Sequence, residues 1–432
     1  MFISKSLGTN KDGNLTIGGA DTTVLAKTFG TPLYVFDENL IIENMRSYKE
    51  SIDTYYDGRG IVFYASKAFS CKEMARIANR EGLGLDVMSG GELFTAQTAD
   101  FPLDRVCYHG NNKDFEEIQQ AIESGVGRIV ADSGEELQLI DSIAKTLNKK
   151  QKVLLRVTPG VEAHTHEFIQ TGQIDSKFGV TLETGAAFDV IDKARKLENI
   201  EFAGLHSHIG SQIFDEEPFI CAARLLVGFM AKVKKELGIN LYELNLGGGF
   251  GIKYTKEDKP KPYRTYMQDL IAGLCRACDD FKVEKPFLMV EPGRSIVGAA
   301  GITLYTVGGV KNIPGIRKYV SVNGGMSDNP RYILYEAEYE ALLAEKPYEE
   351  GTETVTIVGK HCESGDVLIK DIKMPEIERG DILAVLATGA YNYSMASNYN
   401  RVPRAAAVMV RDGVPRVIIK RESYEDIVRN DI

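Results

Sequence analysis

The run Ile61-Val62-Phe63-Tyr64-Ala65 passes directly into Ser66-Lys67, so that five apolar, strand-like residues end on a hydroxyl and an amine. The same arrangement recurs three times. Phe202-Ala203-Gly204-Leu205 leads into His206-Ser207-His208-Ile209-Gly210-Ser211, Leu244-Asn245-Leu246 into Gly247-Gly248-Gly249-Phe250-Gly251, and Leu288-Met289-Val290 into Glu291-Pro292-Gly293-Arg294. Reactive side chains at the carboxyl ends of separate buried strands are what a (β/α)8 barrel presents around its mouth.

Outward from these four runs, short stretches rich in Val, Ile, Leu and Phe alternate with helix-period segments, the mark of βα units and a parallel sheet. Eight candidate strands fall at 61–65, 84–88, 105–109, 128–131, 152–157, 201–206, 243–246 and 287–291. Amphipathic stretches such as 72–80, 114–123, 135–146 and 221–237 are long enough to return the chain between parallel strands. The expected fold is α/β, a TIM-like barrel over residues 36–294, entered through a helix capped by Asp37. After Arg294 the texture changes to β-branched, alternating runs at 301–310, 318–322, 354–358, 381–387 and 405–411. These predict an all-β, Greek-key-like domain over 295–432, to which the strand-like segments within residues 1–35 are assigned. Asp412-Gly413 supplies the positive φ angles of a type I′ hairpin turn.

A length of 432 residues exceeds the ~250 typical of one barrel and leaves material for that second domain. With 44% hydrophobic and 26% charged residues the composition is that of an ordinary globular protein. A net charge of −10 and no dense Lys/Arg stretch exclude nucleic acid as the main partner, since phosphate backbones need a basic footprint. No run approaches the ~18 apolar residues needed to cross a bilayer, and the first ten residues carry no apolar signal core, so a cytoplasmic protein without a membrane partner is expected. The six cysteines read as free thiols rather than a disulfide framework. Cys275 and Cys278 lie in a helical pattern without a second ligand pair, and His109, His164 and His166 lack ligand spacing on one element, so no metal is expected.

The chemistry follows from the strand ends. A lysine at a buried strand end is expected to be partly desolvated and hence a usable amine nucleophile, which makes Lys67 the Schiff-base candidate. The glycine run lets exposed backbone N–H groups approach a phosphate, with Ser211 able to add a hydroxyl. Glu291 can face a heterocyclic nitrogen and hold it protonated, and His208 offers a flat ring for stacking. Together these describe a pyridoxal 5′-phosphate site.

Tyr64-Ala65-Ser66-Lys67-Ala68, the His206–Gln212 and Gly247–Gly251 segments, Glu291-Pro292-Gly293-Arg294 and Cys362-Glu363-Ser364-Gly365-Asp366 resemble, in order and spacing, the motifs of the diaminopimelate decarboxylases, barrel-type pyridoxal-phosphate amino-acid decarboxylases. The resemblance covers nearly the whole chain. It implies a homodimer with shared active sites, Cys362 completing the partner's site as proton donor. It implies that Lys67 carries the cofactor, that His208 stacks on it, that Ser211, Gly248, Gly249 and Tyr391 serve its phosphate, and that Glu291 meets its ring nitrogen. Asp86 and Arg156 match further cofactor positions. Arg294, Arg331 and Tyr335 match positions that grip the distal carboxylate of the substrate, and Glu363 and Tyr391 complete substrate binding. Lys360 and His361 stand before Cys362 where Pro and an apolar residue are more usual.

The implied reaction is decarboxylation of meso-2,6-diaminopimelate to L-lysine, the last step of lysine biosynthesis. An ornithine- or arginine-type decarboxylase is the alternative, but a distal amine gives paired arginines no anion to grip. A non-catalytic regulator on this fold would be marked by loss of Lys67 or Cys362, and both are present. A racemase would favour arginine rather than Glu291 at the ring nitrogen.

Overall fold

The computed structural model describes residues 2–161 and 176–432. His164 and His166 and most of the loop 158–179 lie outside the described residues. The chain packs as two compact units: Asn44–Gly251 with Pro260–Gly293, and Met1–Glu43 with Ile252–Lys259 and Arg294–Ile432.

The first unit is a closed parallel barrel. Its strands are β1 (Gly60–Ala65), β2 (Gly84–Val87), β3 (Val106–Tyr108), β4 (Arg128–Ala131), β5 (Gln151–Thr158), β6 (Ile200–His206), β7 (Glu243–Asn245) and β8 (Phe287–Val290). Each pairs in parallel with the next, and β8 pairs with β1 to close the ring. A helix returns the chain after each of β1 to β7, from Lys72–Arg80 to Tyr263–Phe281. Side chains accept the free N–H groups at several helix starts: Ser89 from Glu92, Ser133 from Glu136, and Asp114 in a reciprocal capping box with Glu117. The carboxyl group of Asp37 accepts from the N–H groups of Asn39 and Leu40, as its sequence position implied.

Period-two alternation decides what fills the barrel. Phe63, Cys107, Val130, Leu154, Ala203 and Met289 form a buried inner layer. Toward the amino ends, buried Glu243 receives Arg128 at 2.9 Å and Lys152 at 3.1 Å. Toward the carboxyl ends, the register aligns Ala65 with Asp86, Asp86 with Cys107, His206 with Arg156, and His206 with Asn245. Two residues beyond Cys107, Val130, Leu154 and Met289, the same inward parity delivers His109, Asp132, Arg156 and Glu291 to the mouth, while a bulge between Phe202 and Gly204 shifts β6 so that His206 aligns with Arg156. Gly204 is required by close approach, because a Cβ there would lie 1.8 Å from the carbonyl oxygen of Glu243.

The second unit is built on a sheet in which Leu33–Asp37 lies between Gly301–Ile313 (antiparallel) and Ala406–Arg411 (parallel). The sheet continues through Arg317–Val322 and Glu353–Val358 to Val367–Met374 on one side and Val414–Ile419 on the other. Ile382–Val385 pairs with both Gly301–Ile313 and Ala341–Leu343. Asp412 and Gly413 both have positive φ (51° and 79°), as the predicted hairpin turn requires. The segment Ile252–Lys259, flanked in sequence by barrel residues, belongs to this unit, and Ile252 and Tyr254 join its apolar core.

Because the Gly204 Cβ position is occupied by backbone that cannot swing aside, Gly204→Ala is expected to destabilise the protein by about 3 kcal/mol, the upper range for overpacking. A drop in the urea midpoint at unchanged m-value would show it, and an unchanged midpoint would contradict it.

Candidate functional site

The mouth of the barrel is organised around a carboxylate. Glu291 follows β8, is buried, and anchors its own N–H on the carbonyl of Gly247 at 2.8 Å. Its Oε1 accepts from Asn245 Nδ2 at 2.6 Å and lies 2.8 Å from His109 Nε2. Its Oε2 meets His206 Nε2 at 3.1 Å. The His109 contact is ionic rather than a well-aligned hydrogen bond. Burial would raise the carboxyl pKa, but His109 and then His206 outweigh burial and hold Glu291 well below the usual carboxylate range. Asp86, also buried, lies 3.6 Å from His109. Burial leads in raising its pKa, against the lowering influence of His109, Lys67 and Arg156.

His208 sits in the loop after β6 with its ring fixed by Gly248, whose N–H donates to Nδ1 at 3.2 Å. Burial first, then the charges of Lys67 and Arg156, hold its pKa well below 6.5. The ring is therefore neutral, a flat surface fit for stacking. Arg156 lies with its guanidinium 4.3 Å from the centre of the Phe178 ring. Lys67 occupies the short 3-10 turn Ser66–Ala68 that follows β1 and is exposed, so the partial desolvation expected of it is not seen.

The glycine run behaves as a cradle. Gly247 (φ 66°) and Gly249 (φ 115°) adopt backbone that disfavours side chains, and a Cβ on Gly248 would lie 2.2 Å from the Glu291 carbonyl oxygen. The loop bearing Ser211 is tied to this run through Ile213 N–H to Gly249 O and Gly251 N–H to Ile213 O, both 2.9 Å. The structure thus gathers Lys67, Asp86, Arg156, His208, Ser211, Gly248, Gly249 and Glu291 on the loops and ends of one set of strands. An amine, a glycine cradle, a neutral flat ring and an ionised carboxylate fit pyridoxal 5′-phosphate. Cys107, His109 and Glu291 also bring three donor types within 4.8 Å. Imidazoles and an amide already compensate the charge of that carboxylate.

The second unit carries a separate constellation. Arg294 and Arg331 are both buried and both donate to the hydroxyl of Tyr254, at 2.5 and 3.0 Å. Arg331 also donates to Tyr339 at 2.7 Å, which in turn donates to Asn392 at 3.2 Å. Both guanidiniums lie near the ring of Tyr391, at 4.7 and 5.7 Å. Burial raises the Tyr254 pKa, but the two arginines outweigh it and the net shift is downward. Tyr335 is half-buried at the end of helix Arg331–Tyr335. The hydroxyls on Arg331 come instead from Tyr254 and Tyr339.

Cys362 and Glu363 are exposed. Their loop is pinned by Asp366, which accepts from Met326 N–H at 2.6 Å and His361 N–H at 2.8 Å. His361 is buried between Ser327 Oγ (2.8 Å) and Asn400 Oδ1 (3.1 Å), and the same Asn400 oxygen accepts from Cys362 N–H at 3.3 Å. The unusual histidine therefore fastens the loop.

Sequence reasoning gave no role to His109, His206, Asn245, Tyr254, Tyr339 or Asn392. The first three carried a usable signal, since each is polar at or near the end of an apolar run, although a bulge between Phe202 and Gly204 takes His206 out of step with Ala203. Tyr254 and Tyr339 carried none, because their partners lie 40 and 8 residues away on other elements.

The family described as "Pyridoxal-dependent decarboxylase, pyridoxal binding domain" matches residues 38–298. The chain is 48% identical to a diaminopimelate decarboxylase of Bacillus subtilis, covering 100% of this chain and 98% of the relative. It is 49% identical to one of Bacillus methanolicus, covering 98% of each. Among solved structures, the diaminopimelate decarboxylase of M. jannaschii in complex with L-lysine superposes with a TM-score of 0.92 at 37% identity, covering 100% of this chain and 99% of that one.

The histidines fix how stability varies with pH. Burial brings the His206 pKa down to about 4, and His208 is lowered likewise, so between 6.5 and 4 the unfolded chain binds protons that the folded chain refuses. Stability contributed by these two is lost as pH falls through that window. His109 has the opposite sign: Glu291 and Asp86 overcome burial and raise its pKa well above 6.5, so its contribution is complete below 6.5 and is lost as pH rises toward the raised value. The melting temperature of the cofactor-free protein is expected to fall on the acid side of pH 6.5, and His206→Asn should make that fall shallower. An acid limb unchanged in the variant would contradict the assignment.

Proposed function

The chain belongs to the pyridoxal-dependent decarboxylase family, and from that premise we propose that it decarboxylates meso-2,6-diaminopimelate to L-lysine and carbon dioxide, the closing step of lysine biosynthesis. The observation that carries the substrate assignment is the pair of buried guanidiniums of Arg294 and Arg331 joined through one tyrosine hydroxyl. Two buried cations held by neutral hydroxyls make a receptor for an anion, and diaminopimelate brings a carboxylate on its distal carbon. Among the described residues Arg331 forms no ion pair with a carboxylate. A substrate ending in an amine would leave that charge uncompensated, which disfavours ornithine.

Bound pyridoxal phosphate supplies an electron sink for the pair released when the carboxylate leaves. Lys67 would contribute the amine that holds the cofactor. Gly248, Gly249, Ser211 and Tyr391 serve the phosphate, with Asp86 and Arg156 at neighbouring positions. Neutral His208 presents its ring face without adding a charge that would oppose a protonated pyridine. Ionised Glu291 would accept from the ring nitrogen and keep it protonated. Glu363 receives the distal ammonium and Tyr335 supports the distal carboxylate. Cys362 Sγ gives its proton to the substrate carbon after carbon dioxide departs, the task of a positioned general acid. The exposure of Cys362 and Glu363 in one chain suits a role across the interface of a homodimer with shared active sites. Among the described residues no helix is long and apolar enough to cross a membrane, which is compatible with a cytoplasmic enzyme.

Lys67→Ala is expected to abolish turnover together with the long-wavelength absorbance of the bound cofactor. Arg331→Met should raise KM for diaminopimelate by about 10- to 100-fold, the worth of charge-assisted hydrogen bonds, while cofactor absorbance stays intact. Unchanged KM in Arg331→Met would defeat the substrate assignment, and turnover by Lys67→Ala would defeat the mechanism.

A further inference from the structure

The cofactor reading gives tasks to Glu291, Asp86 and His208 and leaves His109 with none. Yet His109 is a side chain that touches two buried carboxylates of the mouth, with Nε2 at 2.8 Å from Glu291 and 3.6 Å from Asp86. Its backbone and ring are both held. The backbone N–H donates to Val87 O at 2.7 Å, and the His206 ring meets it edge-on at 4.7 Å between centroids. Cys107 lies two residues before it on the same inward face, and Glu92 lies within electrostatic reach. Lys67 and Arg156 also act on Asp86, but Lys67 is assigned to the cofactor and Arg156 is shared with Asp132.

Two carboxylates at the mouth of one low-dielectric cavity do not both ionise unless a cation stands between them. Without one, Glu291 takes up a proton itself and stops being an anion that can hold a ring nitrogen protonated. We propose that His109 is a positioning residue for the cofactor ring, a buried imidazolium between Glu291 and Asp86 that keeps Glu291 ionised and in one orientation. The division of labour between the two imidazoles supports this. His206 is driven neutral by burial and serves Glu291 as a hydrogen-bond partner, whereas the flanking carboxylates overcome burial at His109 and keep it charged. The proposal rests on the reading of Glu291 as the partner of the ring nitrogen.

The test compares wild type, His109→Gln and Glu291→Gln, each reconstituted with pyridoxal phosphate labelled with 15N at the ring nitrogen. Nitrogen NMR then follows protonation of that atom between about pH 6 and about pH 9, around the histidine range. Cofactor affinity and melting temperature are measured alongside. His109→Gln is expected to lose ring protonation at lower pH than wild type and to bind the cofactor about tenfold more weakly. Loss of protonation in Glu291→Gln with none in His109→Gln would overturn the proposal and leave the Glu291 reading standing. No change in either variant would overturn both. Should His109→Gln fail to fold, 15N-histidine spectra of the wild-type apoprotein decide: both His109 nitrogens protonated at pH 7.5 is the expected result, and a neutral ring there contradicts the proposal.

Discussion

Burying the carboxylate of Glu291 at the mouth of a barrel sets conditions that its neighbours exist to meet. A desolvated anion needs hydrogen bonds and opposite charge or it protonates. Asn245 and His206 supply the hydrogen bonds, and His109 stands in ionic contact at 2.8 Å. Each of the three comes from a different strand or strand end, so the closure and register of the barrel are what make the anion tenable. The glycine run is bound into the same arrangement, because Gly247 O accepts the Glu291 N–H and Gly248 leaves no room for a Cβ beside Glu291. Gly248 also fixes the neutral His208 ring through Nδ1. Cradle, ring and carboxylate therefore form one connected structure.

The barrel was legible from the sequence because its signals are local. Apolar runs such as Ile61 to Ala65 and Leu288 to Val290 end on reactive residues, and Ser or Asp caps mark the intervening helices. The turn at Asp412-Gly413 was legible for the same reason, since only a few residue pairs accept positive φ in succession. The strand Val367–Met374 was not recognised, because Lys370, Asp371 and Lys373 break its apolar pattern and the register of its pairing with Glu353–Val358 shifts twice. At the site, Lys67, His208 and Glu291 were legible from type and position. His109 and Asn245 showed only as polar residues among apolar ones, because the carboxylate they touch is brought to them across the barrel. Exposure of Lys67 could not be inferred from its strand-end position, since the residue lies in a 3-10 turn beyond the end of β1.

On the proposed reading, specificity is a matter of the second unit. Tyr254 and Tyr339 hold Arg294 and Arg331 with neutral hydroxyls, so the guanidiniums keep their positive charge available while remaining buried and ordered. Pre-ordered cations lower the entropy lost when an anion is bound, which favours a substrate with a carboxylate to offer. His361, anchored between Ser327 and Asn400, gives the Cys362 loop a comparable rigidity.

The most direct measurement is carbon dioxide release by the purified protein loaded with pyridoxal phosphate, with meso-diaminopimelate, L-ornithine and L-arginine compared side by side. Release from diaminopimelate alone, with equimolar L-lysine, is the predicted result. A preference for ornithine or arginine would contradict the role given to the paired arginines.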